Sequence, residues 1–434
     1  METQAEPILA PEQLLEPEKK KRKRSKKSKS KRGRNKPTGF EEYYVDAPMT
    51  VEEYDTEKEL FDVSRPIIHR MEDAFLRFQK KRRIENDRLE VFQKYLAYGG
   101  VDVGPKMFVG SDDRDFKNMD SEQILLARGQ TSIKDDHSKL PVDFNAVVKG
   151  YLTSYFPYYF NPENEEMIKL ATVTIRNYLS YLLYHNVCPE HRENIDEARK
   201  SCDLAEKELW KNQQFTAAGP GEFNNGCSIL FGGFQHDLYV ENNQWSNPKD
   251  NSTLMTKEVA RKVVKFGLAG SGSDELAVLF NQLSLDGELQ AKRVEDIDGF
   301  EVIGLVPPDV VTTEFYEKHA PDLNSVGILR GRAYHDPARP RYDMTAEERN
   351  EWEKENPIMP EFEFFLEESL LEHCYVGMKV ITSVWELNCG LHYFEDIHTA
   401  YSSIYTVLPN DLMIGWKKPR DLTGNDEDDG SDVD

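Results

Sequence analysis

Cysteine, long apolar runs and a secretion signal are scarce or missing in this chain of 434 residues. The five cysteines are scattered with no CxxC pair, which disfavours a disulfide framework and a zinc module. The most apolar window, Met167–Val187, is interrupted by Lys169 and Arg176, so we expect no membrane-spanning helix and no membrane partner. The first residues have neither the basic start nor the apolar stretch of a secretory signal. We therefore expect an intracellular, reduced protein.

Recognisable reaction centres are also missing from the sequence. It contains no GxSxG, HExxH, phosphate-loop lysine, kinase or zinc-deaminase signature. The most concentrated polar set is His335 with Arg330, Arg332, Arg339 and Arg341. Structural ion pairing is its favoured interpretation, contact with a partner's carboxylate or phosphate the second, and an active site the third. We predict a non-enzymatic protein with no catalytic residue, metal or cofactor.

Charge is distributed very unevenly along the chain. The formal net charge is −23, although the run Lys19–Lys36 contains thirteen basic residues and no acidic one. Removing those thirteen positive charges from −23 leaves −36 for the rest of the chain. A body this acidic repels nucleic acid but can face a basic partner. The stretch Asp421–Asp434 carries seven acidic residues and is predicted to be a disordered acidic tail that aids solubility.

The basic run is too charged and too poor in apolar residues to fold alone, so residues 1–37 are predicted to form a disordered arm. Its first interpretation is a nuclear localisation signal, its second an RNA- or DNA-contacting tail, and its third a solubilising tail. The expected location is the nucleus, with the cytoplasm as a second compartment. The residues assigned to import or nucleic-acid contact are Lys19, Lys20, Lys21, Arg22, Lys23, Arg24, Lys26, Lys27, Lys31, Arg32 and Arg34.

Hydrophobic periodicity predicts an α+β protein, mainly helical in its first two-thirds and strand-rich in its final third. Two helices, 165–186 and 190–213, should form a hairpin. The aromatic residues of 151–160 are predicted to pack in the core, with base stacking as the alternative. Strands are expected at 300–306, 325–334, 361–366, 375–387 and 391–407.

The same pattern divides the chain into five regions. Two of them are terminal, and the three between carry the expected secondary structure. The alternative is that residues 143–420 form a single globular domain, without a boundary between 298 and 299. The regions are the basic arm (1–37), a docking segment with a long helix and a connection (38–142), a helical region (143–298), an α+β strand-rich region (299–420) and the acidic tail (421–434).

The longest helical pattern extends from Pro66 to Tyr98, with proline suited to the first turn and Gly99-Gly100 to the stop. Before it, Thr50 should cap a short helix with Glu53 at the third position. The segment Phe40–Tyr54 is interpreted as a linear docking segment. The basic patch at 80–83 on the long helix is interpreted first as a solvated face, and second as a contact for RNA phosphate or an acidic partner surface. The candidate partner-contact residues are Phe40, Tyr43, Tyr44, Lys80, Lys81, Arg82 and Arg83.

Three stretches resemble the Argonaute-binding subunit of the fungal Argonaute siRNA chaperone complex. They are NKPTGFEEYY at 35–44, YLAYGGVDVGP at 95–105, and VLPNDLM at 407–413 with Trp416 and Lys417. Because they lie near both ends, the resemblance extends from about Lys19 to Pro419.

The resemblance implies a non-enzymatic subunit whose partners are an Argonaute protein and a second chaperone subunit. Duplex siRNA would be contacted indirectly through Argonaute. Such a subunit restrains slicing and passenger-strand release, in a pathway that leads to RNA-interference-directed heterochromatin and histone H3 lysine 9 methylation. An RNA-binding or ribosome-assembly factor that uses the basic arm is the main alternative, and an enzyme centred on His335 is the second.

Overall fold

The structure is a computed structural model of the chain. It describes residues 38–40, 49–103, 131–132, 141–234, 236, 255–337 and 359–408. These residues form an α+β fold in which helices precede a large sheet, as the sequence predicts. We call the described residues up to Ala218 the helical half and those from Gly219 onward the sheet half. Among the described helices, none has both the length and the apolar character needed to cross a bilayer.

The helical half begins with the predicted short capped helix. The Thr50 hydroxyl accepts a hydrogen bond from the Glu53 amide at 3.2 Å, and the Glu53 carboxylate accepts one from the Thr50 amide at 3.0 Å. This reciprocal pair satisfies two amides that a helix start leaves open. The helices are α1 (Val51–Leu60), α2 (Ile67–Lys81), α3 (Asn86–Tyr98), α4 (Phe144–Gly150), α5 (Phe156–Phe160), α6 (Glu165–Tyr184) and α7 (Arg192–Ala218), with a π-helical turn at Tyr151–Tyr155, a 3-10 turn at Pro189–His191, and a short ladder between β1 (Asp102–Val103) and β2 (Thr131–Ser132).

The prediction of one long helix from Pro66 to Tyr98 is wrong, because the chain leaves the helix at Arg82 and re-enters it at Asn86. The ring centroids of Phe78 and Phe92 lie 5.4 Å apart. On one straight helix these two residues would be about 21 Å apart along the axis, at 1.5 Å per residue. Both rings pack on Tyr178 of α6. The break therefore allows α2 and α3 to cover the same aromatic core.

The predicted helical hairpin is confirmed by α6 and α7, which pack along one another. Asn164 caps the start of helix α6, because its side chain accepts a hydrogen bond from the Met167 amide at 2.9 Å. The aromatic residues of 151–160 divide between core and surface, because Tyr151, Tyr155 and Phe156 are buried while Tyr158 and Tyr159 are exposed. The prediction of core packing is thus confirmed for residues 151–156 of this cluster.

The sheet half carries an eight-stranded sheet with strand order β10-β7-β4-β5-β6-β9-β8-β3. All neighbouring strands are antiparallel except the parallel pair of β6 and β9. The strands are β3 (Ala291–Arg293), β4 (Gly299–Val306), β5 (Val326–Tyr334), β6 (Glu361–Glu367), β7 (Lys379–Ile381), β8 (Val384–Leu387), β9 (His392–Phe394) and β10 (Thr399–Tyr401), and the helices are α8 (Glu222–Phe231), α9 (Lys257–Ser271), α10 (Asp274–Asp286), α11 (Val310–His319) and α12 (Glu368–Leu371).

Four details of the sheet half differ from the sequence prediction, one of them the strand expected at 391–407, which is divided between β9 and β10. Strand β3 lies in the region expected to be helical. Helix α11 was not predicted because its first turn is rich in β-branched residues, but Asp309 caps it by accepting from the Thr312 amide at 2.7 Å. The predicted strand 375–387 is divided between β7 and β8 at Thr382, whose hydroxyl donates to the Glu395 carbonyl at 2.8 Å.

Glu367, at the end of β6, fixes the start of α8 in the sheet half. Its buried carboxylate accepts a hydrogen bond from the Phe223 amide at 2.8 Å. Gly221 has φ +95°, and a Cβ there would lie 2.1 Å from Glu367 Oε2, so a larger residue would displace the carboxylate. Burial raises the pKa of Glu367, and the hydrogen bond from Phe223 opposes that shift.

Direct hydrogen bonds join the two halves. The carboxylate of Glu208 on α7 accepts from the Ser402 hydroxyl and from the Ser403 amide, the latter at 2.9 Å. The Thr406 amide donates to the Thr153 hydroxyl at 3.3 Å. The residues after β10 therefore return to the helical half and hold it against the sheet.

Candidate partner-binding surface

A buried carboxylate organises the corner between α1 and α2. Glu57 on α1 is almost completely buried, and its Oε2 lies 2.7 Å from Nδ1 of His185, just after α6. Its Oε1 accepts hydrogen bonds from Arg77 at 2.8 Å and from Lys81 at 3.4 Å. Glu57 thus connects α1 to both α2 and the end of α6.

A second ion pair fixes the other end of α2. The Arg70 guanidinium is buried and donates to the Val187 carbonyl at 2.7 Å and to the Glu190 carboxylate. The charge-assisted hydrogen bond from Arg70 lowers the pKa of Glu190, while partial burial opposes that shift. Neither Glu57 nor Arg70 could be identified from the sequence, because His185 and Glu190, their partners beyond α6, lie more than a hundred residues away along the chain.

The four candidate basic residues of 80–83 occupy different environments. Lys81 contacts Glu57, and Arg83 lies on the surface with its guanidinium 3.6 Å from Glu85. Lys80 is also exposed. Arg82 is buried, and its guanidinium lies 4.3 Å from the centre of the Phe78 ring and 5.3 Å from that of Tyr181. Lys80, Lys81 and Arg83 form the exposed basic corner, whereas Arg82 is part of the core.

Phe40 also faces inward, unlike an exposed docking residue. Its ring packs edge-on against Phe78 with centroids 6.3 Å apart, and the Arg88 guanidinium lies 4.6 Å from its centre. Gly39, with φ +75°, lies so close to Arg82 that an added Cβ would be 2.6 Å from Nε. The chain therefore enters the described fold beside the basic corner, three residues after the end of the basic run at Lys36.

The remaining candidates of this region lie outside the described residues. This holds for Tyr43 and Tyr44 of the docking segment. It also holds for every arm residue assigned to nuclear import or nucleic-acid contact, from Lys19 to Arg34.

A stacked tyrosine pair at the edge of the core, with Tyr155 buried and Tyr159 exposed, was not predicted from the sequence. Tyr155 and Tyr159 stack with centroids 5.5 Å apart, and the ammonium of Lys94 on α3 lies 4.3 Å from the centre of Tyr159. The sequence did not indicate this contact, because Lys94 reaches the ring through the packing of α3. A cation over an aromatic face stabilises such a pair.

The arginines near His335 are part of the sheet. Arg330 on β5 pairs with Glu363 on β6 at 2.9 Å, and Arg332 pairs with Glu301 on β4 at 3.1 Å. Each pair joins residues directly opposite one another on neighbouring strands. The ion-pairing interpretation is confirmed for these two arginines, while Arg339 and Arg341 lie outside the described residues.

All five cysteines are buried and reduced. Burial raises the pKa of Cys188 and of Cys374 to about 12 in each case. The Cys188 thiol points at the Met71 sulfur, 3.5 Å away. Within the described residues, no group of three or more His, Cys, Asp or Glu side chains could hold a metal ion. The cysteines therefore act as apolar core residues.

A model of one protein family, described as Argonaute siRNA chaperone (ARC) complex subunit Arb1, matches residues 28–419. The chain belongs to this family. Argonaute-binding protein 1 of Schizosaccharomyces pombe is 30% identical over 197 residues, which cover 44% of this chain and 49% of the relative. The chain thus spans about half the length of the curated relative it matches. No solved structure matches the chain.

The Arb1-family match confirms the resemblance seen in the three short stretches. It covers both halves of the fold, the exposed basic corner and the basic run from residue 28 onward. The family description is that of a complex subunit, so the surface of this Arb1-type chain is where its function should be sought.

Proposed function

We propose that this chain is a non-enzymatic subunit of an Argonaute siRNA chaperone complex that binds Argonaute loaded with duplex siRNA. In this role it restrains slicing and passenger-strand release and supports heterochromatin formation with histone H3 lysine 9 methylation. A second chaperone subunit completes the complex, and the basic arm directs the chain to the nucleus. The family match over residues 28–419 carries the proposal.

The distribution of charge supports a protein partner that itself holds RNA. Outside the basic run the chain has a net charge of −36. A protein that binds RNA through a positively charged channel is electrostatically complementary to such a body. Docking beside that channel would impede the exit of a strand without any catalytic group.

The exposed basic corner is the proposed contact between the helical half and a partner's acidic surface. The docking segment enters the fold next to Arg82, which lies between Lys81 and Arg83 in the sequence. The basic corner and the docking segment can therefore contact the same partner. Glu57 and Arg70 hold α2 rigidly beneath them. A rigid base keeps the orientation of these side chains defined when the partner binds.

Affinity purification tests the proposal directly. The chain is tagged in its own cells and purified in mild salt, with and without nuclease, and the recovered proteins and RNA are identified. We expect an Argonaute protein with duplex small RNA, retained after nuclease treatment. Recovery of ribosomal or other RNA alone, lost on nuclease treatment, would overturn the proposal.

The basic run favours one second candidate, an RNA-binding or ribosome-assembly factor. Deleting residues 19–36 separates the two functions. An Argonaute-binding subunit should keep its protein partner in cell extract after this deletion. An RNA-binding factor should lose its RNA, because the remaining body is strongly acidic.

A further inference from the structure

Helix α10 carries apolar residues on two faces, and only one of them packs against the rest of the protein. On the inner face Leu276 and Leu283 are half-buried and Phe280 is buried, its ring 5.9 Å from that of Phe231 on α8. These residues repeat at intervals of four and three, as expected for a helix on a core. They are sufficient to anchor α10 to the sheet half.

The outer face of α10 carries three exposed apolar residues, with Gln282 between them. Val278 is 66% exposed, Leu279 42% and Leu285 88%. Val278 and Leu285 are seven residues apart, so they lie on one side of the helix and about 10 Å apart along its axis. Next to them is a shallow depression lined by Asp274, Glu275, Val278, Leu279 and Gln282. Two helical turns thus present a largely exposed apolar stripe made of Val278, Leu279 and Leu285.

Along the sequence, the charges that flank this stripe have a single sign. Between Phe266 and Ala291 the sequence contains four acidic residues, at both ends of α10, and no Lys, Arg or His. Asp274 and Glu275 precede the stripe and Asp286 and Glu288 follow it, and all four are exposed. A second copy of this chain would bring two such acidic borders together, which is unfavourable. The stripe is therefore matched to a partner with positive charge.

We propose that the outer face of α10 binds an amphipathic helix of a partner protein, with aliphatic side chains spaced three and four apart and lysine or arginine on both sides. Two helices pack when the side chains of one fill the spaces between those of the other, and a two-turn stripe provides this contact. The basic side chains reach the acidic residues at the two ends of α10. This inference goes beyond the proposed function, since it does not depend on the partner being Argonaute.

A designed peptide tests the chemistry of the site. The probe is a fluorescent helical peptide of about 14 residues, with leucines at three- and four-residue intervals and lysines on both flanks, titrated into the full-length chain. We expect Val278→Asp and Leu285→Asp each to weaken binding at least tenfold. Val376→Asp, at an exposed apolar position of the sheet half, is the matched control and should change affinity less than twofold. Equal affinities for all variants overturn the proposal.

The charge requirement is tested separately. Neutralising Asp274 and Glu275 as Asn and Gln should weaken binding and reduce its salt dependence, and a peptide with glutamate in place of lysine should not bind. The protein variants Asp274→Asn and Glu275→Gln are checked for unchanged helix content by circular dichroism. Tight binding of the glutamate peptide would overturn the assignment of a basic partner.

The natural occupant is identified by a photo-cross-linker placed at position 278 of the full-length chain in its own cells. A cross-linked peptide from another protein, with aliphatic residues at helical spacing between lysines or arginines, supports the proposal whichever protein provides it. A cross-link to this chain itself, to an acidic segment, or to no protein overturns it. Failure here leaves the Argonaute purification unaffected, so the two proposals are tested independently.

Discussion

The corner between α1 and α2 balances its two buried charges, Glu57 and Arg70, with opposite charges, whereas the sheet half surrounds carboxylates with neutral donors. The buried Glu208 of α7, which contacts the sheet half, also accepts from the neutral Ser402 and Ser403. Glu57 contacts Arg77 and Lys81, and Arg70 contacts Glu190. In the sheet half, Glu367 accepts from a backbone amide, and the half-buried Glu395 accepts from the Ser228 hydroxyl, the Phe234 amide and the Trp385 indole.

This difference shows that one chain stabilises its two regions with different electrostatics. An ion pair favours the charged forms of both partners, so the pKa of Glu190 is lowered. Burial next to neutral groups favours the protonated acid, so the pKa of Glu367 is raised. The corner between α1 and α2 should depend on charge at neutral pH, and the sheet half should tolerate removal of the Glu367 charge.

The largest effect is expected for Glu57→Gln in the helical half. The change leaves His185, Arg77 and Lys81 without their carboxylate, and loss of one partner of a buried ion pair costs about 3 kcal/mol. Urea unfolding measures the free energy, and Glu59→Gln at an exposed position of the same helix is the control. If both variants lose the same small amount, Glu57 does not hold the corner together.

A smaller effect is expected for Glu367→Gln in the sheet half. Glutamine keeps an acceptor for the Phe223 amide and removes a charge that burial disfavours, so the loss should be about 1 kcal/mol. The exposed Glu368→Gln is the control in the same unfolding experiment. A loss as large as that of Glu57→Gln would remove the contrast between the two halves.

The pH dependence of these carboxylates should have opposite signs. Because its folded pKa is lowered, Glu190 stabilises the fold above the ordinary value of 4.5 and loses that contribution as pH falls. Because its folded pKa is raised, Glu367 contributes stability at low pH that is lost as pH rises through the folded pKa. Relative to wild type, Glu190→Gln should thus cost stability at pH 7, by about 0.5 kcal/mol, and nothing once the pH has fallen below the lowered folded pKa of Glu190. The stability lost in Glu367→Gln should instead be largest at low pH and should decrease as pH rises. Parallel pH profiles for the two variants would contradict the opposite pKa shifts.

The smallest effect on stability is expected for Arg83→Glu on the exposed basic corner. Its pair with Glu85 is exposed, so unfolding should change by less than about 0.5 kcal/mol. Recovery of the protein partner in low salt should nevertheless fall severalfold. Arg261→Glu is the matched control, because it makes the same charge change at an exposed position of the sheet half. Equal losses for both variants would show that total charge, and not this corner, governs binding.

Local signals in the sequence were sufficient for many elements of the fold. The capping pair of Thr50 and Glu53, the apolar helix α6 and the strands β4 and β5 follow from spacing alone. The break after Lys81 was not predicted, because the spacing of three and four resumes in the same register at Leu89, with Arg82 and Glu85 at two of its positions. The two helices converge on Tyr178, far along the chain. Long-range packing therefore determines where α2 ends and α3 begins.

The candidate surface was predicted less well than the fold. A basic run of four residues does not reveal that Arg82 lies over Phe78 while its neighbours face solvent. Phe40 belongs to an acidic aromatic segment typical of docking motifs, yet its ring completes the core. The outer stripe of α10 was also missed, since apolar residues on two faces of a helix suggest complete burial from sequence alone.

The burial of all five thiols makes the chain suited to site-specific fluorescence. Burial holds their pKa values above the ordinary range, so at neutral pH they are neither ionised nor accessible to a maleimide dye. A cysteine introduced at an exposed position such as Val376 would be labelled alone. Distances between this chain and a labelled partner can therefore be followed by energy transfer without replacing any native residue of the core.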